Sequence, residues 1–327
     1  MRQAALAHDR TLATALLWVE VTHGPASFGD LSAFIAAHPD WPSQTLLRER
    51  AEEQTTTLSD AAAAAWFAEH PPVTQTGKLR QVDLLLDKGR TAEAAALLRE
   101  VWIDGNLDKF AQHSLFQAYH ALLRPVDHEA RLDRLLWDGD DADARRMLTM
   151  VDPAHRALAE ARLALFEMDP GSERLVARVP AELQHDPGLT YDRVRWRRRK
   201  ERYDEAVALL DTVPREKTHL ENWAVEREVL ARYALAENKP AAAYRIASQH
   251  GLESGAHFAE LEFLSGWTAL RFLHQPETAY NHFVRLYDTV KLPISVARGA
   301  YWAARAAEAM GYRQLAEAWY STARAAQ

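Results

Sequence analysis

The chain has 327 residues, 26% of them charged, with a formal net charge of −7 and no cysteine. That length holds two average domains or one extended helical array. The negative balance gives no broad basic footprint for nucleic acid, no apolar run reaches the roughly 20 residues of a membrane span, and the missing thiols exclude disulfides, thiolate metal sites and a cysteine nucleophile. A chain without cysteine suits an oxidising compartment, although the first twenty residues, MRQAALAHDRTLATALLWVE, lack the continuous apolar stretch of a signal peptide.

From there onward apolar residues recur at three- and four-residue spacings, and no stretch of five or more alternates apolar with polar. AAAAAWFAEH and AEAAALLREVW are rich in alanine, the best helix former. Breaks follow in chain order at HGPASFGD, HPDWPS, EHPPVTQTG, LRPVDH, VDPAH, MDPGS, HDPGL, TVPRE, HQPET and KLPIS. The segments between them have the usual length of globular helices. The pattern predicts an all-α chain.

Several segments share one layout, a helix, a turn and a second helix carrying an early alanine. Those alanines are Ala94, Ala144, Ala206, Ala243, Ala279 and Ala316. From Ala206 to Ala243, Ala279 and Ala316 the steps are 37, 36 and 37 residues, close to the ~34-residue tetratricopeptide period. The longer step from Ala144 to Ala206 predicts one degenerate pair around HRALAEARLALFEMDPGSERLVARVP. A helix pair cannot bury both faces alone, so stacked pairs give a superhelical α-solenoid. It is expected to be one unit over 1–327, irregular over 1–190 and more regular over 191–327.

Little in the chain predicts chemistry. There is no phosphate loop, no zinc-protease helix and no nucleophile elbow. His250 and His257 lack the spacing and third ligand of a metal site, so neither metal nor cofactor is expected. Glu52 and Glu53, and the acids from Asp138 to Asp143, fall at helix starts or turns, where capping and the helix dipole explain them. The basic run RVRWRRRKER offers Arg195, Arg198 and Arg199 as contacts for an anionic glycan or partner, but ion pairing between helices is the stronger reading of it. Nine of the ten tryptophans lie in helices and read as packing residues. Trp41, in HPDWPS, should plug a helix junction. Trp302 and Trp319, in the last helix pair, are candidates for stacking on a glycan or partner.

Six stretches carry a family resemblance: FIAAHPDWPSQTLLRERAEE (34–53), WFAEHPPVTQTGKLR (66–80), HEARLDRLLWDGD (128–140), YDRVRWRRRKERYDEA (191–206), EFLSGWTALRFL (262–273) and PISVARGAYWAARAAEAMG (293–311). In this order they resemble the N-terminal superhelical region of soluble lytic murein transglycosylases, closest to alphaproteobacterial members. Ala304 stands where that pattern commonly has glycine, and Asn222 where it commonly has a second tryptophan.

The resemblance implies a ring or horseshoe of helix pairs in the periplasm, acting on peptidoglycan glycan strands beside a lysozyme-like catalytic domain in cis. That domain would follow residue 327 and cut the MurNAc-β-1,4-GlcNAc bond to leave a 1,6-anhydromuramoyl end. Its glutamate matches no position here, so no catalytic residue is carried over and the chain alone is expected to be inactive. The competing expectation is a tetratricopeptide-like adaptor that holds a protein partner.

Overall fold

The computed structural model describes residues 10–213 and 218–326. Part of the expected signal-peptide-free start (1–9), most of the break TVPRE and Gln327 lie outside the described residues. Among the described residues the chain forms nineteen α-helices and three short 3-10 turns, with no strand. The all-α expectation holds. The chain divides into two compact units between Asp152 and Pro153.

The first unit contains α1 (Arg10–His23), α2 (Phe28–Ala37), α3 (Gln44–Glu53), α4 (Asp60–Glu69), α5 (Gln75–Asp87), α6 (Thr91–Asp104), α7 (Lys109–Tyr119), α8 (Pro125–Asp138) and α9 (Asp141–Met147). Leu31, Phe34, Leu47, Trp66 and Phe67 belong to one hydrophobic cluster in it, with Trp18 and Trp41 laid against them. Trp41 meets Phe34 and His38 edge-on at the junction of α2 and α3, the plug expected of it. Glu52 departs from expectation. It lies in the last turn of α3, fully buried, and reaches the start of another helix. There it accepts hydrogen bonds from the Val73 and Thr74 N–H groups at 2.8 and 2.7 Å and from the Thr74 hydroxyl at 2.6 Å. It serves the N-terminus of α5, where backbone donors have no helical partner.

The second unit contains α10 (Pro153–Phe166), α11 (Ser172–Val176), α12 (Pro187–Arg199), α13 (Tyr203–Leu210), α14 (Leu220–Ala236), α15 (Pro240–Ser248), α16 (Ala256–Arg271), α17 (Pro276–Thr289), α18 (Pro293–Ala309) and α19 (Arg313–Ala325). The degenerate pair is α10 with the five-residue α11. From α12 onward each helix packs on the next, and α12, α14, α16 and α18 each touch the next of that series. That is the packing order of a helical solenoid.

All six repeat alanines are buried. Five residues before each stands a residue with positive φ: Gly89, Gly139, Glu201, Asn238, His274 and Gly311. Beyond it the N–H of Arg90, Asp140, Arg202, Lys239 and Tyr312 donates to a carbonyl five residues back, at 2.8–3.0 Å. This is the Schellman closure of a helix end. It turns the chain so that the small alanine meets the first helix of its pair. Where layers come closest, alanine is already too large. A Cβ on Gly266 would sit 2.7 Å from the Phe283 ring, and one on Gly299 would sit 3.0 Å from the Tyr287 backbone nitrogen.

Candidate functional site

Helix α18 presents Gly299, Ala300, Ala303, Ala304, Ala306 and Ala307 to its neighbours, all buried. Its larger residues therefore gather on the remaining surface. Adjacent residues on a helix point about 100° apart, so of each neighbouring aromatic pair one ring packs inward and the other turns out. Trp302 lies against Phe263 and Phe283, both at 5.8 Å between ring centres, while Tyr301 stays exposed. On α19, Trp319 donates from Nε1 to the Tyr280 hydroxyl at 3.0 Å and packs on Tyr287, while Tyr320 faces Tyr301 at 5.8 Å.

Between the two helices runs an open groove of about 710 Å³. Tyr301, Trp302 and Tyr320 give it aromatic walls, Ile294 and Ala297 extend the apolar surface, and Arg298, Glu317 and Arg324 supply charge. Ile294 is 80% exposed and Leu292, just before the helix, 68%. Several polar groups are already engaged. Tyr320 donates to Glu308 at 3.0 Å, Arg298 lies over the Phe263 ring at 4.5 Å, and Arg298 reaches Glu260 at 3.3 Å. The Tyr320 hydroxyl is pushed up from its ordinary pKa by burial first and then by Glu308. It remains a neutral donor at physiological pH. The groove can take a flat, partly apolar ligand with polar edges; nothing in it is arranged for proton transfer.

Of the five residues singled out in the sequence, only Trp302 lines this groove. Trp319 turns to Tyr280 and Tyr287. Arg195, Arg198 and Arg199 lie together on α12 and are largely committed to packing and ion pairs. Arg198 makes a two-point pair with buried Glu226, with Nη2 to Oε1 at 2.9 Å. Arg195 stacks over Phe166 at 4.6 Å, and Arg199 donates to the Phe166 carbonyl at 3.3 Å. The groove residues missed in the sequence are Tyr301, Tyr320, Arg298 and Ile294. The adjacent pairs YW and WY carried a signal for the tyrosines, because two neighbouring large rings cannot both face one core.

His250 and His257 do not converge. The buried His250 meets Glu262 at 2.9 Å, and His257 meets Glu228 at 2.7 Å. Two buried carboxyls have strongly displaced acidities. Burial pushes Asp192 up to about 6, although Arg162 sits 2.8 Å away. Burial also works to raise Glu262, but hydrogen bonds from His250 and His282 and the charge of Arg285 outweigh it and hold the carboxyl at about 2. A general acid needs an acidity near the working pH and access to its substrate. Glu262 lacks the first, and Asp192, buried against an arginine, lacks the second.

No family model and no curated protein matches the sequence. Among solved structures the chain is similar to the X-ray structure of an inactive mutant of lytic transglycosylase Slt from Pseudomonas aeruginosa. The TM-score is 0.57 at 16% identity, over 98% of this chain and 51% of that one. At that identity the likeness is one of fold. The chain spans about half the length of that enzyme, and nearly all of it shares the enzyme's helical architecture.

Proposed function

We propose that residues 1–327 are the non-catalytic superhelical scaffold region of a bacterial peptidoglycan lytic transglycosylase working in the periplasm in cell wall turnover. The extent of the match supports this most, since nearly the whole chain follows about half of such an enzyme. The six stretches between 34 and 311 point the same way. In this reading the residues form one superhelical region, and a lysozyme-like domain in cis performs the non-hydrolytic cleavage. The groove on α18 and α19 bears on glycan strands. Tyr301 and Tyr320 offer ring faces to the apolar faces of sugars, while Arg298, Glu317 and Arg324 meet hydroxyl and amide groups.

The test is sedimentation with purified sacculi. The polypeptide should be retained and should release no 1,6-anhydromuropeptides. Tyr301→Ala combined with Tyr320→Ala should weaken retention several-fold. Unchanged retention of that double variant would remove the groove from this reading. Release of anhydromuropeptides, or no retention at any salt concentration, would overturn the reading itself. The exposed Ile294 and Leu292 favour a second reading, a tetratricopeptide-like adaptor seating an apolar partner helix beside the groove. Retention by sacculi decides against it.

A further inference from the structure

The second unit holds another cavity, of about 950 Å³, between α14, α15, the loop after α15 and α17. That is room for a small ligand of several residues. Trp223 and His250, both buried, form part of its wall, and Tyr244 and His282 line it beside them. Polar groups there are held in place. The Tyr244 hydroxyl lies 3.1 Å from Nε2 of His282, whose Nδ1 is 2.6 Å from Glu262. His250 accepts the Leu252 N–H at 3.0 Å on Nδ1, which fixes its other nitrogen as the donor to Glu262. With Arg285 also bound at 2.6 Å, the Glu262 carboxylate is saturated and takes no part in binding.

Among the described residues, charge in the cavity is unsatisfied at two places. Arg227, half-buried, donates Nη1 to the Ile246 carbonyl at 3.0 Å and makes no ion pair among the described residues. Burial lowers its pKa to about 10, against the countering charge of Asp211, so it stays a cation at neutral pH. Glu221, in the first turn of α14, and Glu253, in the loop after α15, are exposed acids on the same cavity. Neither has an ion-pair partner among the described residues. A half-buried cation without a carboxylate seeks an anionic ligand group, and two open carboxylates seek a cationic one. A simple anion would satisfy Arg227 and be repelled by the two carboxylates.

We infer that this cavity binds a zwitterion, an amino acid or short peptide whose carboxylate meets Arg227 and whose ammonium group meets Glu221 and Glu253. Tyr244, Ser248 and Gln249, which line the same cavity, offer hydrogen-bonding groups to it. The inference does not rest on the glycan reading and survives its failure.

Calorimetric titration of the full chain with trialanine, free alanine and 2,6-diaminopimelate tests it. Trialanine and at least one amino acid should bind, or one source alone, which would identify the source. Acetylating the amine or amidating the carboxylate should each weaken binding at least tenfold. Arg227→Gln should abolish the penalty for amidation while keeping that for acetylation. Glu221→Gln with Glu253→Gln, a surface change that leaves the fold intact, should do the reverse. Equal binding of capped and uncapped peptides, or no binding of any probe at millimolar concentration by folded protein, would overturn the inference.

Discussion

The two units join their helices in different ways. In the first, arginines grip helix-end carbonyls. Arg50 donates to Val21 and Gly24, Arg80 to Leu58, Arg131 to Trp102 and Gly105, and Arg134 to Ile103 and Gly105. In the second, side chains pair with side chains across successive layers: Arg162 with Asp192, Arg198 with Glu226, Glu260 with Arg232 and Arg298, and Lys239 with Asp204. Each unit also has some of the other kind, such as Lys78–Glu100 and Arg285 to the Leu252 carbonyl. The contrast follows from regularity. Where no fixed repeat sets the spacing of the helices, the dependable partner is a helix terminus with its orphan carbonyls. Where pairs repeat at 36 or 37 residues, the same side-chain offset recurs, and acids and bases can be matched layer by layer.

Two buried arginines give the sharpest version of this contrast. Arg131 and Arg162 are both at most 1% exposed. Arg131 sits 5.2 Å over the Trp102 ring with Nε and Nη2 lacking hydrogen bonds, while Arg162 holds a carboxylate. Asp192→Ala should have the largest effect, a loss of about 3–5 kcal/mol, because it removes the carboxylate that the buried Arg162 holds at 2.8 Å. Thermal unfolding of the full chain, with hydrogen exchange rising first in α10 and α12, is the readout. Arg131→Met should cost less, about 1–3 kcal/mol, since it frees carbonyls but also removes a poorly satisfied cation. Equal losses at the two sites would erase the distinction between the units.

The smallest effect is one of pH. Glu262 is held at about 2 against an ordinary 4.5. Its contribution is therefore present above about pH 4.5 and is lost as the pH falls towards 2. Asp192, raised to about 6 from 3.8, works oppositely and favours the folded state as the pH falls from 6 to 3.8. The unfolding temperature of the full chain should rise slightly from pH 7 to 5 and fall below 4.5. Glu262→Gln should flatten the acid limb alone. An unchanged acid limb in that variant would locate the sensitivity elsewhere.

The repeat was legible because burial selects small residues at a fixed place, and all six alanines announced it. The turns before them were only half legible. Gly89, Gly139 and Gly311 advertise a left-handed backbone, but Glu201, Asn238 and His274 adopt it with a side chain, and only the packed helices on either side hold them there. The cluster around Glu262 was hidden for another reason. Its partners lie 12, 20 and 23 residues away, and no local period links them. Glu52 was read as a local cap because sequence shows which helix owns a residue, whereas the structure shows which helix uses it. In the basic run, ion pairing was foreseeable, but Arg195 over Phe166 depended on a ring 29 residues earlier.

The constant interval of five residues between the left-handed turn and the buried alanine divides the chain into protected and permissive stretches. One residue added inside it would rotate the second helix of that pair by about 100°, swinging the alanine off its partner and a bulky neighbour onto it. The connections from one pair to the next obey no such ruler. They run from Thr289 to Pro293 in one case and from Ser248 to Ala256 in another. Lineages of this fold are thus free to lengthen or shorten their chains between pairs, and that is where insertions and whole added repeats should accumulate.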